Sequence, residues 1–233
     1  MNSSFLAKYL DVRFTGELSG PPPEHKGMVI TVSRDTGCDG VPIVKEVIKQ
    51  LNAELKGISK NHPWRFVSKE IFEKSAKKLN VKLDIFDKLE DNKDKSFVED
   101  IISSFSTEQY PSDFKIKKTY KGVIESVAKA GGVVVIGRAG VSIVEHNRRN
   151  LHVKLSAPLE WRVSKMAKEY GFTKSKTLKH IETSDKNRAD LKKYYMGRKV
   201  RFTDYDIVLN VSTLTKKEIC SAIVSMIQEK AKR

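Results

Sequence analysis

Gly27-Met-Val-Ile-Thr-Val-Ser-Arg34, followed by Asp35-Thr-Gly-Cys-Asp-Gly40 and the helix-periodic stretch Ile43 to Leu55, is the segment that decides the fold. The first eight residues read as a buried strand. The next six read as a glycine turn, in which Gly37 and Gly40 let the backbone bend tightly and point N–H groups at an anion. Strand, glycine turn and helix together make a phosphate cradle, because the first N–H groups of a helix have no partner within it. The usual signature of such a loop closes on Gly-Lys-Ser/Thr. Here Gly40 is followed by Val41 and Pro42. The backbone predicts phosphate binding, and the missing lysine leaves phosphoryl transfer open. Pro42 fits the first turn of a helix, where its absent N–H costs little. Cys38 lies near a helix N-terminus, which lowers a thiol pKa; a small loop residue is the preferred reading over a reactive thiol.

Outward from this loop, strand and helix patterns alternate. Strand candidates are Met28–Ser33, Arg65–Val67, Val133–Ile136, Leu151–Leu155 and Ile207–Val211. Helix candidates are Ile43–Leu55, Lys69–Leu79, the polar stretch 82–108, Tyr120–Ala130, Gly140–His146, Leu159–Tyr170, Ser175–Tyr195 and Lys216–Lys230. Short apolar strands separated by helices predict a parallel sheet covered on both faces, with the ligand at the carboxyl ends of the strands. Residues 1–26 read as an N-terminal extension ending in the stiff run Gly20-Pro-Pro-Pro-Glu24, and the domain proper spans 27–233. Within it, the Asp- and Lys-rich stretch 82–118 reads as a solvated flap or as a substrate-covering subdomain.

The chain carries 44 Lys and Arg against 29 Asp and Glu, a formal charge of +15. That excess points to an anionic partner, whether nucleotide, nucleic acid or acidic lipid. No run is long enough to span a membrane, and the first residues lack a basic start followed by an apolar core. Two distant cysteines suit a reducing compartment. A cytoplasmic protein without membrane contact is the expectation. The five histidines form no ligand cluster, so no structural metal is expected.

Two further stretches carry chemistry. In Val133-Val-Val-Ile-Gly-Arg-Ala-Gly140 a strand ends at Gly137-Arg138, which brings an arginine to the same crevice; its planar fork suits phosphate, and a buried ion pair is the structural alternative. Between 186 and 201 seven Lys or Arg face one acid, Asp190. On a helix, Arg188 and Lys192 are four apart and share a face. One basic face beside a phosphate loop reads as a lid over a polyphosphate, here 173–203, or as a nucleic-acid contact. Aromatic interleaving is limited to Tyr194, Tyr195 and Phe202, which is weak evidence for base stacking.

The order SRDTGCDG, VVVIGRAG, LHVKLSAPLEWRVSKM, SDKNRADLKKYYMG, DYDIVLNVSTLTKKEI resembles the cytidylate kinase-like family, a divergent branch of the P-loop nucleoside monophosphate kinases, over roughly 27–230. The resemblance implies a three-layer α/β P-loop kinase fold with a five-stranded parallel sheet and a helical lid. It implies ATP and Mg as cofactors, with CMP or dCMP as the acceptor. By position, Thr36, Gly37, Cys38, Asp39, Gly40 and Val41 would cradle the donor phosphates. Arg138 is similar to the arginine that holds the monophosphate, Asp185 and Arg188 to the lid pair, and Arg162 to the arginine after the fourth strand. The departures are Val41 for an arginine, Pro42 for the magnesium-binding hydroxyl, Ala139 for an aspartate, Lys186 for a lid arginine and Ser68 for an acid. Arg34 is the candidate compensating cation, so Arg34, Arg188 and Arg162 are the catalytic candidates. Val41 and Pro42 favour a nucleotide-binding sensor or partner subunit as the alternative to a kinase. The charge favours a basic nucleic-acid module, against which the motif order argues. The extension is a candidate contact for a homo-oligomer.

Overall fold

The computed structural model describes residues 28–54, 63–67 and 121–232, with 123, 126 and 130 left out. The N-terminal extension, the helix at 69–79, the flap at 82–118 and Ser68 lie outside the described residues. Five strands form one sheet: β1 (Val29–Arg34), β2 (Arg65–Val67), β3 (Val133–Ile136), β4 (Leu151–Ser156) and β5 (Ile207–Asn210). Their order is β2-β3-β1-β4-β5 and every pairing is parallel. The α-helices whose bounds are described are α1 (Gly40–Glu54), α2 (Gly140–Ile143), α3 (Leu159–Tyr170), α4 (Lys174–Met196) and α5 (Lys216–Ala231). The α/β parallel-sheet expectation holds. Helix α1 starts at Gly40, three residues before the apolar period begins, so Val41 and Pro42 form its first turn.

The two faces of the sheet differ because strand side chains alternate. Ile30, Val32, Leu151, Val153, Leu155 and Leu209 belong to one apolar cluster with Ile43, Val44, Val47 and Leu51 of α1 and Ile219, Ile223 and Ile227 of α5. The intervening residues Thr31, Ser33, His152, Lys154 and Ser156 are polar and lie on the opposite face. Register pairs Thr31 with His152 and Ser33 with Lys154, and α2 and α4 pack against each other on that side of the molecule. Arg34, by alternation, belongs to the apolar face beside Leu155.

Thr31 Oγ1 lies 2.8 Å from His152 Nδ1, and the His146 ring stacks on His152 at 4.2 Å. Burial, and then the charge His146 would carry, pull the His152 pKa down to about 4. The folded pKa lies below the unfolded value near 6.5, so the unfolded chain binds the extra proton as pH falls. Stability should be fully present above that unfolded value. It should fall by on the order of 2 kcal/mol on approaching pH 4.5. Denaturant midpoints measured from pH 7 to pH 4.5 check this, and His152→Asn should flatten that part of the profile.

Candidate functional site

The loop between β1 and α1 is held from behind by α3. Gly37 turns it with φ of +91°, and the Cys38 N–H donates to the Asp35 carbonyl at 3.1 Å. A Cβ at Gly37 would lie 3.1 Å from Met166 Sδ and 3.3 Å from the Arg162 Cβ. Two cations of α3 then take two successive loop carbonyls. Arg162 Nη1 donates to the Thr36 carbonyl at 3.1 Å, and Lys165 Nζ donates to that of Gly37 at 3.2 Å and to Asp39 Oδ2 at 2.7 Å. Peptide planarity turns the N–H opposite to each carbonyl, so the Gly37 N–H faces away from α3. Lys165 was missed in the sequence, although it stands three residues after Arg162 and shares its helix face.

Arg34 crosses the first turn of α1. A Cβ on Gly40 would come within 3.1 Å of Arg34 Cδ, and one on Gly137 within 3.1 Å of Arg34 Nη1. The guanidinium therefore lies between the α1 N-terminus and the end of β3. Gly40 supplies the room for its stem.

Asp185 of the long helix α4 clamps the loop. Its Oδ1 accepts from the Thr36 N–H at 2.8 Å and the Thr36 hydroxyl at 2.7 Å, and its Oδ2 accepts from Arg162 Nη1 at 2.7 Å. Arg162, only 8% exposed, also donates through Nε to the Ala157 carbonyl at 3.1 Å. Both residues thus spend their charge on each other and on the loop. One turn along α4, Arg188 Nη1 donates to the Arg34 carbonyl at 3.3 Å. Burial lowers the Arg188 pKa, opposed by Asp185 and Asp35. Asp35 accepts from Ser156 Oγ at 2.5 Å and pairs with Lys154 Nζ at 3.3 Å.

After β3 the chain makes a left-handed turn, with φ of +67° at Gly137 and +52° at both Arg138 and Ala139. For a non-glycine residue this conformation costs roughly 1–2 kcal/mol and concentrates at functional sites. The turn is fastened by the Gly137 N–H on the Val32 carbonyl at 2.9 Å and the Gly140 N–H on that of Gly137 at 2.9 Å. It sets Arg138 two residues beyond the strand end, on the same edge of the sheet as the loop. Cys38 is 2% exposed, and burial, then Asp35, push its pKa up to about 11. It stays a thiol, in line with a small loop residue rather than a nucleophile.

The backbone N–H groups and cations gathered here could grip an oxyanion and would act by positioning and charge neutralisation. Among the described residues no three His, Cys, Asp or Glu gather as a metal site. Asp35 and Asp39 are the carboxylates of the loop, each beside a lysine. They are the loop side chains that could reach a magnesium ion bound to phosphates, an ion that keeps phosphate and water as most of its ligands. No described helix is long and apolar enough to cross a membrane.

The model of the cytidylate kinase-like family matches residues 29–213. No curated protein matches the chain. Among solved structures, an uncharacterized protein from Eubacterium ventriosum superposes with a TM-score of 0.58 at 16% identity, covering 88% of this chain and 99% of the other. That likeness shows the fold.

Proposed function

This chain belongs to the cytidylate kinase-like family, and from that premise we propose that it is an ATP-dependent phosphotransferase of nucleoside monophosphate kinase type, with CMP or dCMP as acceptor. The observation that carries the reading is Arg34. A cation threaded between the α1 N-terminus and the β3 end stands at the junction of a donor site on loop 35–41 and an acceptor site at Arg138. In-line transfer needs the two phosphates aligned and their charge neutralised, not a covalent intermediate. Arg34 supplies charge where Val41 and Pro42 supply none. Arg188 adds a second cation on the lid side. Arg162 and Asp185 act through the loop that they hold, and Mg²⁺ would travel with the donor phosphates. A coupled ADP-release assay across a panel of nucleoside monophosphates tests the reading. Turnover with CMP or dCMP is expected, and no turnover with any acceptor overturns it.

One observation favours a second reading, a nucleotide-binding protein without transfer. The Thr36 N–H and hydroxyl are both occupied by the chain's own carboxylate, Asp185. In that case ATP binds and the same assay stays silent. Titration with ATP at low salt should show binding that weakens as ionic strength rises, because the contacts are charged; no binding at millimolar ATP removes both readings.

Arg138→Ala should weaken CMP binding by about 1.5–3 kcal/mol, the cost of a charged phosphate contact, and leave ATP binding nearly unchanged. Paired titrations with CMP and ATP check this. Equal loss of both ligands would assign Arg138 to the fold of its strained turn.

A further inference from the structure

On the polar face of the sheet, opposite the Arg34 side chain, three cations gather around two carboxylates that they share with the loop. Lys154 extends from β4, and Lys192 and Arg188 stand one turn apart on α4. The two nearby carboxylates are shared: Asp185 holds Thr36 and Arg162, and Asp35 accepts from Ser156 and pairs with Lys154, which leaves Lys192 with no carboxylate contact among the described residues. Lys192, largely removed from water, meets a neutral partner, the Tyr205 hydroxyl at 3.3 Å. Tyr205 is 9% exposed and also hydrogen-bonds Ser33. At the mouth stands Phe202, 71% exposed, with Lys154 Nζ 5.4 Å from its ring centre.

A half-buried ammonium with a phenol for company is costly, since desolvation of a cation is offset by an anion and not by a neutral hydroxyl. Burial and then the neighbouring Lys154 charge lower the Lys192 pKa, opposed by Asp35 and Asp185, with a smaller lowering from Arg188. Cations pressed together in this way are stabilised by an anion that enters between them. An exposed ring beside such a pair offers an aromatic group attached to that anion a surface to stack on.

We propose that Lys154, Lys192 and Tyr205 form a second anion site, which borders the loop at Asp35 and lies on the opposite face of the sheet from Arg34, and which takes the phosphate of a nucleotide whose base lies on Phe202. Alternation along β1 and β4 puts Lys154 on the face opposite Arg34, so the two sites respond to different substitutions.

The experiment is calorimetric titration of the full chain with inorganic pyrophosphate and, separately, with CMP, at low salt. Wild type should bind two pyrophosphates. Lys192→Met should remove one and leave the other intact, Lys192→Arg should keep both, and Arg34→Ala should remove the complementary one. Phe202→Ala should weaken CMP at the Lys192-dependent site about tenfold, the scale of one stacked base, without changing pyrophosphate binding there. A stoichiometry unaltered by Lys192→Met overturns the proposal, as does Phe202→Ala weakening pyrophosphate and CMP alike. If CMP binds nowhere, yet a pyrophosphate site disappears with Lys192→Met, the kinase reading falls and the anion site stands.

Discussion

Arg34→Ala is expected to lower turnover about 10³-fold, roughly 4 kcal/mol of transition-state stabilisation, while thermal stability changes by no more than about 1 kcal/mol. The loop of this chain has no lysine to meet the charge that develops on a moving phosphoryl group. The side chain of Arg34, lying over Gly40 and reaching Gly137, brings a permanent cation to the helix N-terminus instead. Because a guanidinium cannot be deprotonated at neutral pH, the effect should be independent of pH between 6 and 9. Gly40→Ala gives a graded version of the same test. Its new methyl would come within 3.1 Å of Arg34 Cδ, so the stem must shift, and activity should fall while the cation remains on the chain. Val41→Lys restores the usual loop cation and should recover part of the activity lost in Arg34→Ala. The compensation idea is falsified if Arg34→Ala turns over CMP or dCMP at the wild-type rate.

The skeleton of this site was legible because it is written in short-range patterns. The valine run at Val133–Ile136 marks β3 and the short Arg65–Val67 stretch marks β2, each with its observed ends, and Leu159–Tyr170 marks α3. The glycine spacing marks the turn between β1 and α1, where Gly37 has a positive φ. The start of α1 was missed by three residues, since Gly40-Val-Pro42 lacks an apolar period although proline suits a first helical turn. The polar face of β4 was visible in principle: His152, Lys154 and Ser156 alternate with Leu151, Val153 and Leu155, a period-2 pattern that marks one apolar and one polar side. Lys154 falls on the polar side of that alternation. Other contacts had no local signal. Thr36 and Asp185 are 149 residues apart, and Arg162 reaches back 126 residues to the Thr36 carbonyl. Only the sheet order, which sets β1 beside β4 and delivers α3 and α4 to the loop, brings them together.

That long-range clamp carries the second large expectation, a loss of about 3 kcal/mol or more of folding stability in Arg162→Ala. Arg162 is buried and satisfies the Ala157 carbonyl, the Thr36 carbonyl and Asp185 Oδ2 at once. Truncation leaves those acceptors short of a donor and strands a partly buried carboxylate, which is the expensive way to break an ion pair. Asp185→Asn should cost less, because the amide keeps the shape and its oxygen can still accept from Thr36, and Arg162 retains two carbonyls. In the double variant the two losses should not add, since the members of one network share their partners. Denaturant unfolding of the four proteins closes that cycle. ATP titration then separates structure from recognition. If the clamp shapes the loop, Asp185→Asn at a temperature where it is fully folded should weaken ATP, with acceptor binding at Arg138 preserved. If Asp185 instead competes with phosphate for the Thr36 N–H, the same variant should tighten ATP. An additive cycle together with unchanged ATP affinity would show that the clamp neither stabilises nor shapes the loop, and that the proximity of Arg162, Asp185 and Thr36 is incidental to both.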